Sequence, residues 1–200
     1  MYQSEWTTKP VLHLFPHWNW KMGETIDVWA YYNQADEVEL FLNGKSLGIK
    51  HKTDDLHVSW KVKYEPGMIR AVSRKAGKEV LASEIRTAGK AYKIVLKADR
   101  ASLKADGRDL SYVTATVTDD EGNLVPDADQ LIAFSASGPA EIVGTDNGYQ
   151  AGLESLRNHQ IKVFKGKCML VVRAGKYKGN VRLKAISSGI QAAAITIKLQ

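Results

Sequence analysis

The alternation of apolar and polar residues is the feature of this sequence that most limits how the chain can fold. Runs with a period of two recur in DEVELFLNG, LHVSWKVKY, YKIVLKAD and SYVTATVTDD. Successive side chains of a β-strand point to opposite faces, so this period predicts half-buried strands with one face on a core. Turn-forming sequences separate the runs: LNGK, EPGM, KAGK, ADGR, DEGN, GKYKG and SSGI. Short strands between such turns predict an all-β protein built from β-sandwiches.

The same alternation predicts which side chains face the core. The inward positions in the four runs are Val38, Leu40, Leu42, Leu56, Val58, Trp60, Val62, Tyr64, Ile94, Leu96, Ala98, Val113, Ala115 and Val117. Trp29 is expected in the core as well, because it also lies in an alternating strand. One short segment, GLESLRNHQ at 152–160, has the spacing of a helix.

The distribution of tryptophan predicts a domain boundary. All five tryptophans precede residue 61, and RTAGKAYKI near residues 88–91 provides a small joint between two strands. We therefore expect two consecutive immunoglobulin-like β-sandwich domains, 1–88 and 89–200, each of the usual size for that fold. With 200 residues, the chain is shorter than the roughly 250 that a complete (β/α)8 barrel needs.

The net charge of +6 is unevenly distributed. Residues 1–88 carry 12 basic and 11 acidic side chains, residues 89–152 carry 6 and 10, and residues 153–200 carry 10 and 1. The lysines of the last segment alternate with apolar residues, which favours the solvated face of a sheet over a nucleic-acid surface. No apolar run approaches the roughly 20 residues of a membrane span. The opening MYQSEWTTKP lacks the apolar region of a signal peptide and suggests a start within a longer chain behind an added Met1.

Few residues form a pattern that catalysis or metal binding requires. The sequence lacks the Walker and G-x-G-x-x-G motifs. His13 and His17 flank Pro16 in an extended segment, so they are not expected to share a metal ion. Cys168 lies in an apolar run and is expected to be a buried core thiol. We therefore expect no catalytic residue, no metal site and no cofactor.

Two acidic segments, DDEGN and GTDNG, are candidate sites for a ligand or an ion. DDEGN at 119–123 lacks calcium-loop spacing and is predicted to be a hairpin turn. In GTDNG, Asp146 and Asn147 are candidates to hold a ligand or an ion. The favoured alternative is a local turn in which each side chain binds its own backbone.

The remaining candidates are aromatic. In an extended segment, Trp18 and Trp20 of HWNW would point to the same side. Exposed, they would form a stacking platform for sugar rings; buried, they would anchor a core. Packing within the core or between domains is the favoured interpretation.

Several of these motifs resemble a known family. PHWNW and ADEVELFLNGKSLG resemble the region that follows the catalytic barrel in glycoside hydrolase family 2 enzymes of the β-galactosidase type. LKADRASLKADGRDLSYVTATVTDDEGNLVP, IAFSASGPAEIVGTDNG and FKGKCMLVVRA resemble the next domain of the same enzymes. The second half is also similar to bacterial immunoglobulin-like domains of adhesins.

The resemblance implies a part of a retaining glycosidase. Such enzymes use two carboxylates about 5–5.5 Å apart, and in this family both sit on the barrel. Glu37, Glu39 and Glu84 are residues of predicted strands and do not form such a pair of converging carboxylates. The resemblance therefore implies a non-catalytic C-terminal fragment that packs against the catalytic barrel, in a periplasmic or cell-surface enzyme.

The segment HLFPHWNW is the predicted docking patch, through Phe15, Trp18 and Trp20. Two other functions remain open. A carbohydrate-binding module would use exposed aromatics to hold a glycan. An adhesin-like stack of immunoglobulin domains would act at a cell surface.

Overall fold

The computed structural model describes residues 1–53 and 55–200 and has almost no helix. Within these two ranges the single helix is α1 (Tyr2–Trp6). The strands are β1 (Leu12–Phe15), β2 (Thr25–Tyr32), β3 (Glu37–Leu42), β4 (Lys45–His51), β5 (Val58–Lys63), β6 (Met68–Lys75), β7 (Lys78–Arg86), β8 (Lys93–Ala98), β9 (Ser102–Leu103), β10 (Leu110–Thr118), β11 (Leu131–Ser137), β12 (Ala140–Asp146), β13 (Gln160–Lys162), β14 (Lys167–Ala174), β15 (Gly179–Ile186) and β16 (Ala193–Leu199). The all-β prediction is confirmed.

The chain divides into two compact units, which we call unit 1 (Met1–Thr87) and unit 2 (Ala88–Gln200). Unit 1 contains a three-stranded sheet in the order β1-β2-β5 and a four-stranded sheet in the order β4-β3-β6-β7. All pairings in these sheets are antiparallel. Unit 2 contains a four-stranded sheet, β12-β14-β10-β8, and a five-stranded sheet, β13-β11-β15-β16-β9.

Each unit has its own hydrophobic core, which the alternating residues fill. In unit 1, every second residue of β2, from Ile26 to Tyr32, is buried, as it is in β3 and β5. In unit 2, β10 and β14 alternate in the same way, and Cys168 is buried as predicted. Burial raises the pKa of the Cys168 thiol to about 12, so this side chain acts as a small apolar residue.

The turn predicted at DDEGN is present and closes β10. The backbone N–H of Asp119 donates to the carbonyl of Asn123 at 3.0 Å. The buried Asp119 carboxylate accepts hydrogen bonds from the backbone N–H of Gly89 at 2.9 Å and of Asn123 at 2.7 Å. Burial alone would raise the pKa of Asp119, but the hydrogen bonds from Asn123 and Gly89 outweigh it and hold the pKa below its usual value.

Two local predictions were wrong. Residues 152–159 form turns and bends rather than a helix. A nine-residue helix needs an apolar face to pack, but Leu153 and Leu156 are 100% and 57% exposed. Leu56 is exposed, because β5 begins only at Val58 and the alternation in the sequence continues past the strand.

Candidate functional site

An aromatic cluster covers the outer side of the β1-β2-β5 sheet in unit 1. We call it the aromatic face, and it consists of Phe15, Trp29, Tyr31 and His57. Phe15 lies opposite Trp29 in the β1–β2 register, with their ring centroids 6.1 Å apart. The His57 ring is 4.4 Å from that of Trp29 and 5.3 Å from that of Tyr31. The four rings therefore form one continuous surface.

The alternation of β2 places two of these rings away from the core. Val28, Ala30 and Tyr32 point inward and are at most 1% exposed. Trp29 and Tyr31, between them, point outward and are half-buried. The expectation that Trp29 belongs to the core is therefore wrong, because both faces of VWAYY are apolar and only one of them faces the second sheet. That double apolar character is the sequence signal that could have identified the aromatic face.

Phe15 is the predicted docking residue that the structure places on this face, with its side chain 47% exposed. Trp18 is different, because it is fully buried in unit 1. Its indole N–H donates to the carbonyl of Glu65 at 3.0 Å, and its ring meets the edge of Tyr64 at 5.2 Å. This burial agrees with the interpretation of Trp18 as a core residue. The prediction that its side chain contacts a glycan or another domain directly is therefore wrong.

Trp20 lies at the surface but does not pair with Trp18. Its ring stacks on His17 at 4.5 Å and 15°, and its indole N–H donates to the His17 carbonyl at 2.8 Å. One face of the ring is therefore covered, and its donor is occupied. The flat double platform that an extended HWNW segment would give is absent, because residues 16–20 are not in a strand.

Asp146 and Asn147 border a cavity of about 490 Å³ in unit 2, together with Tyr149 and Phe164. Asp146 accepts a hydrogen bond from the Gly148 N–H at 2.8 Å, and Asn147 accepts one from the Tyr149 N–H at 2.9 Å. The Asn147 amide also donates to the Lys162 carbonyl at 3.1 Å. Both side chains thus form the local turn that was the favoured alternative.

Two candidate carboxylates of unit 1, Glu39 and Glu84, are held in surface ion pairs. Glu39 lies 2.8 Å from Arg74 and accepts a hydrogen bond from Ser46 at 2.7 Å. The Ser46 hydrogen bond, with help from Arg74, lowers the pKa of Glu39. Glu84 pairs with Arg86 at 3.2 Å. A glycosidase acid needs a raised pKa, so the environment of Glu39 is the opposite of what that role requires.

Two further findings concern metal ions and membranes. In residues 1–53 and 55–200, the structure brings no three His, Cys, Asp or Glu side chains close enough to bind a metal ion together. No helix in the same ranges has the length and apolarity to cross a bilayer.

The fold defines an all-β protein of two immunoglobulin-like sandwiches, and comparison with known proteins gives its family. Residues 94–196 match the model of the glycoside hydrolase family 2 C-terminal domain 5. Residues 23–81 match a family described only as a domain of unknown function. The chain belongs to glycoside hydrolase family 2, as the resemblance implied, and corresponds to a C-terminal region of its enzymes.

Individual relatives agree with this family. The chain is 51% identical to the beta-galactosidase BoGH2A of Bacteroides ovatus, over 100% of its own length and 24% of that protein. It is 27% identical to a beta-glucuronidase of Formosa agariphila, covering 98% of this chain and 20% of that one. The crystal structure of a beta-glycosidase from Bacteroides vulgatus superposes with a TM-score of 0.93 at 34% identity, over 99% of this chain and 26% of that one. The chain thus spans about a quarter, or less, of each of these three proteins.

Proposed function

We propose that this chain is the accessory C-terminal module of a β-galactosidase- or β-glucuronidase-type enzyme, and that the aromatic face docks it against the catalytic barrel. The observation that supports docking is the aromatic face itself. Soluble domains seldom expose a continuous apolar surface without an interaction to cover it. The remaining three-quarters of the relatives' length supplies the partner.

The energetics favour this role for the aromatic face. Removing apolar surface from water gives about 25 cal/mol per Å², and an aromatic side chain carries 150–250 Å² in all. Covering the exposed parts of Phe15, Trp29 and Tyr31 would therefore give a few kcal/mol, on the order of a stabilising contact between domains. His57 adds a polar edge, which suits an interface between domains better than a domain core.

A chimera tests the docking. The matched region of the Bacteroides ovatus β-galactosidase would be replaced by this chain, and Trp29→Ser and Tyr31→Ser would be introduced together. We expect the unaltered chimera to keep its galactosidase activity. We expect the double variant to inactivate at a temperature several degrees lower, because the catalytic part loses an apolar contact.

The control is Tyr177→Ser, which removes a 79% exposed ring in unit 2. Thermal unfolding of the 200-residue chain alone would establish that each variant still folds. Equal inactivation temperatures for the double variant and the Tyr177 control would contradict docking through the aromatic face.

A further inference from the structure

A groove of about 540 Å³ opens at the edge of the two sheets of unit 1, where β4 and β5 supply most of its lining. β4 and β5 are each an edge strand of their own sheet, so the groove lies between the edges of the two sheets. Its floor is apolar and includes the buried side chains of Leu42 and Trp60. Its volume is within the range of small-molecule sites, about 300–1,000 Å³.

Four lysines surround this floor: Lys45, Lys50, Lys61 and Lys63. Glu65 is the acidic residue of the lining. The ion pairs found in residues 1–53 and 55–200 include none of the four lysines. Residues 1–88 carry 12 basic and 11 acidic side chains, so an almost neutral unit concentrates positive charge at one hollow. Four ammonium groups around one hollow repel each other, and a bound anion would relieve that repulsion.

Trp60 adds a second observation at the same place. Its indole N–H is buried without a hydrogen-bond partner among the described residues. The Lys50 ammonium lies 5.6 Å from the centre of its ring. This N–H is shielded from water and therefore also from a ligand oxygen in the groove. The part of Trp60 that belongs to the groove is its ring, beside the Lys50 ammonium.

We propose that this lysine groove binds a segment of an anionic glycan, a sugar chain that carries carboxylate or sulfate groups. Lysine binds oxyanions as a mobile point charge and requires no fixed geometry, which suits anionic groups spaced along a chain. The apolar floor suits the C–H faces of sugar rings. The inference rests on the proposed function: a module of a glycosidase works beside a glycan, so a glycan rather than a nucleic acid is the relevant anionic polymer.

Calorimetric titration of the 200-residue chain tests the proposal. The probes are an oligogalacturonate, a sulfated galacto-oligosaccharide, a neutral galacto-oligosaccharide and a DNA oligonucleotide of matched charge. We expect at least one anionic glycan to bind, with an affinity that falls as salt screens the lysines. The neutral glycan should not bind. The two anionic arms distinguish carboxylate from sulfate recognition.

A double variant, Lys50→Gln with Lys61→Gln, should weaken that binding at least tenfold. The matched control is Lys75→Gln with Lys78→Gln, which removes the same charge from the exposed β6–β7 hairpin of unit 1 and should leave the affinity unchanged. Circular dichroism would show that both variants fold.

Three outcomes would overturn the proposal: no binding of either anionic glycan, an equal loss in the control variant, or DNA binding as tight as glycan binding and lost in the same variant. The failure of this proposal is distinguishable from failure of the docking proposal. Trp29→Ser with Tyr31→Ser, which tests the aromatic face, should leave glycan affinity unchanged.

Discussion

At the scale of single residues, the neighbours of a tryptophan decide its role. Trp18 and Trp20 are two positions apart, yet Trp18 is fully buried and Trp20 is 37% exposed. Trp18 links separate parts of unit 1, because its indole N–H binds Glu65 and its own carbonyl accepts a hydrogen bond from Thr87 at 2.9 Å. The Trp20 ring stacks on the nearby His17, and its indole N–H donates to the carbonyl of the same residue.

This difference predicts unequal costs of truncation. Trp18→Ala should destabilise unit 1 by about 3–5 kcal/mol, because it leaves a large cavity and removes a buried hydrogen bond. Trp20→Ala should cost less than about 1 kcal/mol, since its ring is at the surface. Urea unfolding followed by the fluorescence of the remaining tryptophans measures both, because all five lie in unit 1. Similar costs for the two substitutions would contradict the assignment of Trp18 to the core.

At the scale of elements, the tight turn between β13 and β14 shows why a turn needs particular residues. Phe164 and Lys167 exchange two backbone hydrogen bonds, at 2.9 and 3.1 Å, around the pair Lys165–Gly166. Both central residues have positive φ, +50° and +73°, as a two-residue turn of the I′ type requires. Gly166 also lies against the backbone of Val125, which leaves no room for a side chain.

Gly166→Ala should therefore destabilise unit 2 by more than its positive φ alone explains. A Cβ there would meet the carbonyl oxygen of Val125 and lie 2.8 Å from Cδ1 of Leu124. Gly189→Ala is the matched control, because Gly189 has φ +76° but open space around the added Cβ. We expect about 1–2 kcal/mol for the control and roughly 1–3 kcal/mol more for Gly166, measured by thermal unfolding. Equal shifts in melting temperature would mean that close packing at Gly166 has no energetic weight.

Strands could be predicted from the sequence because each depends on its own alternation. Val38, Leu40 and Leu42 are buried as the pattern indicated. The helix predicted at 152–160 lacks such support, because the segment with helical spacing is short and its two leucines, Leu153 and Leu156, are exposed rather than packed.

The aromatic face could not be predicted from the alternation within single strands. Phe15, Trp29 and His57 come from three segments separated by turns, and only the pairing register brings them together. The lysine groove likewise combines β4 with β5, which do not pair with each other. Surfaces of this kind depend on how strands are ordered in sheets, and the alternation within one strand carries no information on that order.

At the scale of the whole molecule, a chain that covers about a quarter of its relatives should show the surface that the rest would cover. The 200-residue chain in solution should therefore increase the fluorescence of the dye ANS, which reports exposed apolar surface. Trp29→Ser with Tyr31→Ser should remove most of that increase, because the dye needs a continuous apolar area and the two substitutions break the face at its centre.

Unit 2 supplies the control for this measurement. Tyr149 and Leu156 are exposed beside the cavity in unit 2, and Tyr149→Ser with Leu156→Ser removes a comparable amount of apolar surface there. If the dye signal fell in the unit 2 variant and stayed in the unit 1 variant, the docking surface would lie in unit 2. The aromatic face would then be a stable, solvent-exposed outer surface of unit 1. The apolar side chains of the loop that follows β12 would then have to supply the few kcal/mol of docking free energy assigned to the aromatic face.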